Sequence, residues 1–102
     1  MITTWPAFAE AMHIVGRMGG WYGQAALWRL VERGTLQIAE ISPEATGRMR
    51  ALMEQYRDLP MDLADASLVA VAEERRLDRI FTLDADFHVY QLPRGRHFTV
   101  LP

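Results

Sequence analysis

Four acidic residues stand among apolar neighbours, where ionised side chains are uncommon. Glu10 is flanked on both sides by alanine, phenylalanine and methionine, and the stretch 63–72 is apolar apart from Asp65 and one serine. Asp84 and Asp86 form a closely spaced pair further along the chain. A carboxylate is rarely buried unless a partner or a metal ion compensates for its lost hydration. The four acids are therefore candidates for one divalent-metal site.

The donor atoms available to such a site define the chemistry. The chain has no cysteine, which excludes a disulfide framework, a thiolate zinc site and a cysteine nucleophile. Carboxylate oxygens suit Mg²⁺ or Mn²⁺ better than zinc. A carboxylate-held Mg²⁺ commonly serves phosphodiester hydrolysis, in which it activates a water and offsets charge on the phosphate. Nucleic acid is therefore a candidate substrate.

Each acid also has a purely structural interpretation. Asp62 and Asp65 suit the N-cap and N3 positions of a helix, where backbone N–H groups lack partners. Glu10 suits the first turns of a helix for the same electrostatic reason. Asp84 and Asp86 suit turn or cap positions. These interpretations stay open, and each is compatible with a ligand role.

Alternating strand and helix signals define the elements that must position these acids. Pro6 favours a first helical turn, Gly19-Gly20 a break between two helices, and Gly34 a helix end. Ser42-Pro43 marks another helix start. The predicted strands are 2–5, 35–41, 79–83 and 97–101, and the predicted helices are 6–18, 22–33, 42–56 and 62–76, with a short turn or helix at 84–90.

This order predicts an α/β sandwich with a mostly parallel sheet covered by helices on both faces. In open sheets of this kind, ligands bind at the carboxyl ends of the strands. Glu10 follows the first strand, Asp65 begins a helix, and Asp84 with Asp86 follows the third strand. One edge of the sheet is therefore expected to gather all four acids.

The composition limits the class of protein. The 102 residues suit one domain, residues 1–102. The apolar runs are too short for a membrane span, and the N-terminus has no basic segment typical of a secretory signal, so a cytoplasmic location is expected. The net charge of −2 argues against broad electrostatic binding of nucleic acid but does not exclude local basic patches.

Three segments carry a resemblance to a known family. Thr3–Ala11, Pro60–Leu68 and Thr82–Phe87 resemble, in this order, acidic motifs of the PIN domains, in particular the VapC-like ribonuclease toxins of bacterial toxin–antitoxin pairs. The resemblance implies a PIN-like three-layer sandwich and a Mg²⁺-dependent (or Mn²⁺-dependent) endoribonuclease that acts on RNA, with an antitoxin protein as a possible partner.

The same resemblance assigns functions to individual residues. It implies that Glu10, Asp65 and Asp84 are the catalytic, metal-binding acids. Asp86 is implied as an additional metal ligand or a partner of the ligands, and Thr82 as a residue that orients them. A metal-activated water is the implied nucleophile.

The chain departs from the family pattern at its beginning. Family members open with a central strand that bears an aspartate, and nothing before Glu10 is acidic here. The resemblance therefore implies an N-terminally truncated domain without the first metal ligand. Loss of that strand is expected to give a rearranged sheet or two unpaired central edges, and hence a homodimer or swapped oligomer.

Two further hypotheses remain beside the ribonuclease. One is a catalytically inactive PIN remnant that binds a protein partner or self-associates. The other is an unrelated metal-binding or phosphotransfer α/β domain. Among the remaining residues, His13 is expected in the core rather than at the metal, and Met18, Trp21 and Tyr22 in the core or a dimer interface.

Overall fold

A computed structural model of the chain describes residues 1–59 and 61–82, together with the backbone of 99–101. The elements in the described part are β1 (Ile2–Thr4), α1 (Trp5–Glu32), β2 (Gln37–Ala39), α2 (Pro43–Gln55), α3 (Leu63–Arg75), β3 (Arg79–Phe81) and β4 (Thr99–Leu101). The turn or helix predicted at 84–90 lies outside the described residues. Within the described part, no helix has both the length and the apolar character that crossing a bilayer requires.

The four strands form one parallel sheet in the order β2-β1-β3-β4. β1 pairs with β2 over three residues, and β3 pairs with β4 over three residues. β1 and β3 share only the pair Ile2 and Ile80. The predicted α/β fold with a mostly parallel sheet is confirmed. One expectation was a sheet with two unpaired central edges. β1 and β3 are direct neighbours, so no unpaired edges separate these two strands.

Helices cover both faces of the sheet. Successive residues of a strand point to opposite faces, and β3 shows the result. Ile80 belongs to a core cluster with side chains of α2 and α3, such as Leu68. Phe81 belongs to a second cluster with side chains of α1, such as Phe8. The sheet is therefore the middle of three layers.

α1 is a helical hairpin. Its backbone leaves the helical region at Gly20, where φ is 58° and ψ is −147°. The Gln24 side chain donates to the Met12 carbonyl at 3.4 Å, and a Cβ added to Gly23 would lie 2.9 Å from the Val15 carbonyl oxygen. The arm before Gly20 and the arm after it therefore pack antiparallel. The predicted pair of helices separated by glycine is confirmed.

Three large side chains project from the turn of this hairpin. Met18, Trp21 and Tyr22, which we call the hairpin tip, are 83 %, 66 % and 86 % exposed. The prediction that these side chains lie in the core is therefore wrong. Their contact with a second copy or another partner stays a prediction.

The helix ends follow the local signals in the sequence. Ser42 caps α2 and accepts from the Ala45 N–H at 3.0 Å, with a proline in the first turn. Gly34 follows the end of α1 with φ 75°, as its position predicts. β2 spans Gln37–Ala39 within the predicted strand 35–41, and it begins late because the Leu36 N–H donates to the Leu30 carbonyl and closes α1 instead of extending the sheet.

α2 and α3 pack antiparallel on one face of the sheet. Arg48 donates to Glu73 through Nε at 2.8 Å and through a terminal nitrogen at 3.1 Å. These hydrogen bonds raise the pKa of the Arg48 guanidinium above its ordinary value. Ser42, at the start of α2, donates to Glu74, at the end of α3. Beneath these polar contacts, apolar side chains such as Met49 form the buried interface between α2 and α3.

Candidate functional site

The carboxyl ends of β1 and β3 lie side by side. Because Ile2 is in register with Ile80, Thr3 lies opposite Phe81 in this parallel pair. The Thr3 hydroxyl donates to the Phe81 carbonyl at 3.1 Å. Thr82, directly after β3, is buried at the same edge. This carboxyl edge of the sheet is the one at which the acids are predicted from the sequence.

Thr4 ends β1 and begins α1. As the N-cap, its hydroxyl accepts from the Ala7 N–H at 3.4 Å. The same hydroxyl lies 2.6 Å from the Ser67 hydroxyl of α3. The beginning of α3 is therefore held against the carboxyl end of β1.

Asp65 lies beside this contact, in the first turn of α3. Asp65 is only 2 % exposed to solvent. Its N–H donates to the Asp62 side chain at 2.9 Å, and its own side chain accepts from the Asp62 N–H at 3.5 Å. These reciprocal bonds form a capping box, in which each side chain satisfies a backbone N–H of the other residue. The structural interpretation of both aspartates is confirmed, and it coexists with a position at the sheet edge.

The burial predicted for α3 is also confirmed. Every residue from Ala64 to Ala72 is buried. α3 contacts α1, α2, β1 and β3, and this enclosure explains the run of apolar residues around Asp65.

Glu10 lies in the second turn of α1 and is half-buried. His13, one turn further along, is exposed, so the prediction of a core histidine is wrong. The spacing contains a signal for this exposure, because Glu10, His13 and Arg17 share one face of the helix.

The remaining predicted ligands, Asp84 and Asp86, lie outside the described residues. Within 1–59 and 61–82, no three acidic or histidine side chains are grouped closely enough to hold a metal ion. Glu10 and Asp65 alone therefore do not form a complete ligand set, and the grouping of all four acids stays a prediction.

The donors described at this edge fit a hard divalent ion in kind. Asp65, buried at this edge, offers carboxylate oxygens. Oxygen donors are the ligands that Mg²⁺ and Mn²⁺ prefer. The residues that would hold such an ion are Glu10 and Asp65 on the described helices, completed by acids from the segment after β3.

Neither Thr4 nor Ser67 is predicted from the sequence to belong to the site. A threonine directly before a proline-containing first turn is an available signal for an N-cap. No local signal pairs it with Ser67, because the two residues are 63 positions apart.

A separate cavity of about 400 Å³ opens beside the edge strand β2. Its lining is Trp5, Val31, Gly34, Leu36, Gln37 and Ile38. None of these described residues is an acid or a histidine, and the cavity is therefore not the candidate metal site.

Comparison with known proteins adds one finding. The family model described as PIN domain matches residues 1–91, which is most of the chain. No curated protein matches the sequence.

Proposed function

The chain belongs to the PIN domain family, a family of nucleases, and on this premise we propose that it is a metal-dependent endoribonuclease of the VapC-like toxin type. Its substrate is RNA, its reaction is phosphodiester hydrolysis, and its cofactor is Mg²⁺ or Mn²⁺. The observation that carries the proposal is the position of Asp65, buried at the carboxyl edge of a parallel sheet beside Thr4 and Ser67.

The proposal assigns the metal to Glu10, Asp65, Asp84 and Asp86. The ion, when bound, activates a water and offsets the negative charge that builds on the phosphate. The chain's own contribution is to exclude solvent from Asp65 and to orient its carboxylate, since α3 is buried around it and the capping box anchors the helix start. Thr82, buried next to the segment that contains Asp84, is suited to orient that segment.

Cleavage of RNA by matched variants tests the proposal. The purified chain is incubated with structured RNA and Mg²⁺, alongside Asp65→Asn and the control Asp58→Asn, which changes an exposed aspartate in a turn. Asparagine keeps an oxygen that accepts the Asp62 N–H but removes the charge that binds a cation, so Asp65→Asn is expected to fold and to lose cleavage. Asp58→Asn is expected to cleave as the wild type does.

Two results would contradict the ribonuclease. Cleavage that Asp65→Asn retains would show that Asp65 is not a ligand or that a contaminant is active. No cleavage by a folded wild type would favour the alternative, an inactive PIN remnant that binds a protein partner such as an antitoxin.

We also propose that the chain forms a homodimer through the hairpin tip. Met18, Trp21 and Tyr22 are each at least 66 % exposed. Contiguous exposed apolar groups of this kind mark interaction sites in soluble proteins.

Light scattering tests the dimer. The wild type is expected to have the mass of two chains, and the double variant Trp21→Ser/Tyr22→Ser the mass of one. Leu59→Ser, which removes an exposed leucine in a different turn, is the control and should stay dimeric. A monomeric wild type, or a double variant that remains dimeric, would exclude this interface.

A further inference from the structure

Two buried hydroxyl groups connect the helices that carry Glu10 and Asp65. Thr4 and Ser67 are both 0 % exposed, and their oxygens lie 2.6 Å apart. Thr4 caps α1, and Ser67 lies near the beginning of α3, two residues after Asp65. Their contact therefore joins the two acid-bearing helices at one point.

The other partners of the two hydroxyls determine the direction of this hydrogen bond. A hydroxyl has one hydrogen to donate. Ser67 donates its hydrogen to the Ala64 carbonyl at 2.7 Å, since a carbonyl only accepts. Thr4 must then donate to Ser67, while it accepts from the Ala7 N–H at 3.4 Å. The bonds run in one direction from Ala7 to Ala64.

This arrangement leaves each hydroxyl a single orientation. Each of them donates once and accepts once within the chain, so neither needs water. A buried polar network that is fully satisfied makes the surrounding core rigid and specifies one arrangement of it. Here the arrangement that is specified is the placement of the start of α1 against the start of α3.

Helix capping explains the Thr4 hydroxyl, but it does not explain why a hydroxyl of α3 lies against it. The surrounding core cluster is apolar and includes Ala7, Ala64 and Leu68. Replacing both partners of a buried hydrogen bond with apolar groups of similar shape is often nearly neutral for stability. The hydroxyl pair therefore contributes direction and distance, which apolar contacts specify less sharply.

We infer that Thr4 and Ser67 are positioning residues, whose hydrogen bond sets the separation of α1 and α3 and thereby that of the Glu10 and Asp65 carboxylates. They act through the helices and not by touching the reacting atoms. The inference rests on the proposed function, because it concerns the geometry of the same metal site.

Metal binding by the full chain tests this inference. Mn²⁺ is titrated calorimetrically into the wild type, Ser67→Ala and Thr4→Ser. Ser67→Ala is expected to weaken Mn²⁺ binding about tenfold, at the low end of the effect of residues that orient metal ligands. It should also lower kcat for RNA cleavage with little change in KM. Thr4→Ser keeps the hydroxyl and should bind Mn²⁺ as the wild type does.

Ser42→Ala is the control for lost stability. Ser42 caps α2 through the Ala45 N–H and contacts Glu74 at the far end of α3 from Asp65. Its loss should lower the melting temperature without changing Mn²⁺ affinity. The inference is wrong if Ser42→Ala weakens Mn²⁺ binding as much as Ser67→Ala does, or if Ser67→Ala binds Mn²⁺ like the wild type.

If Ser67→Ala does not fold, a double variant takes its place in the Mn²⁺ titration. In Thr4→Val/Ser67→Ala both hydroxyls are absent, so no hydroxyl is left buried without its partner, and only the Ala7 N–H loses its cap. This double variant is expected to fold, as judged by circular dichroism, and still to bind Mn²⁺ more weakly than the wild type. Wild-type affinity in the double variant would overturn the inference and leave the proposed function intact. A wild type that binds no Mn²⁺ would refute both.

Discussion

At the scale of single residues, Asp62 and Asp65 show how one short motif serves two purposes. The capping box satisfies two N–H groups at the start of α3 that have no partner within the helix. The same bonds hold the Asp65 carboxylate at the sheet edge. Removal of the cap and removal of the charge should therefore have separable effects.

Asp62→Ala is expected to destabilise the chain without removing the charge of Asp65. The substitution removes the side chain that accepts from the Asp65 N–H at 2.9 Å. Loss of an N-cap costs about 1 kcal/mol, which lowers the melting temperature of a domain of this size by about 4–8 °C. Thermal unfolding followed by circular dichroism measures the change. Asp62→Asn preserves a capping oxygen and should unfold close to the wild-type temperature. An unchanged melting temperature in Asp62→Ala would show that the cap contributes little.

At the scale of elements, the hairpin of α1 depends on two glycines for different reasons. Gly20 has a positive φ, which side chains other than hydrogen disfavour. Gly23 allows close approach of the two arms, since a Cβ there would meet the Val15 carbonyl oxygen at 2.9 Å. The backbone cannot move away from this contact without separating the arms.

Gly23→Ala is expected to lower the free energy of unfolding by about 1–3 kcal/mol, the usual cost of inserting a methyl group into a packed contact. Gly47→Ala is the matched control, because Gly47 lies within α2 and a Cβ there meets nothing within 4 Å. Alanine at that position should raise stability by roughly 0.4–1 kcal/mol. Urea denaturation measures both values. Equal effects of the two substitutions would mean that the arms are not in close contact at Gly23.

At the scale of the whole molecule, the sheet has one narrow junction. β1 and β3 share a single registered pair, whereas the outer pairings each extend over three residues. The Thr3 hydroxyl adds a side-chain hydrogen bond to the Phe81 carbonyl next to that pair. The two halves of the sheet, β2-β1 and β3-β4, are therefore joined partly by a side-chain hydrogen bond. A longer strand pairing would use backbone hydrogen bonds instead.

Thr3→Val is expected to weaken this junction by about 1–3 kcal/mol, because valine matches threonine in shape but does not donate to the buried carbonyl. Thr46→Val is the control, since Thr46 donates to the Ser42 carbonyl at the same distance of 3.1 Å but on the surface. Surface substitutions of this kind usually change stability by less than about 0.5 kcal/mol. Hydrogen exchange should become faster at β1 amides in Thr3→Val and stay unchanged in Thr46→Val. Equal exchange in both would show that backbone pairing alone holds the junction.

Features that depend on neighbouring residues were predictable from the sequence. The Ser42 cap, the break before Trp21, the end of α1 at Gly34 and the buried α3 were all predicted, because each is decided within a few residues by backbone geometry or apolar content. The α/β class followed from the alternation of elements, and the two acid-bearing helices from carboxylates in apolar surroundings.

Features that join distant parts of the chain were decided only by the tertiary structure. The Thr4 to Ser67 and Thr3 to Phe81 contacts each join residues more than 60 positions apart, and no local pattern pairs them. Exposure of the hairpin tip likewise depends on how the two arms of α1 pack on the sheet. The residue types thus determined which groups are available for chemistry, while packing decided which of them meet, because burial and distance are properties of the assembled core.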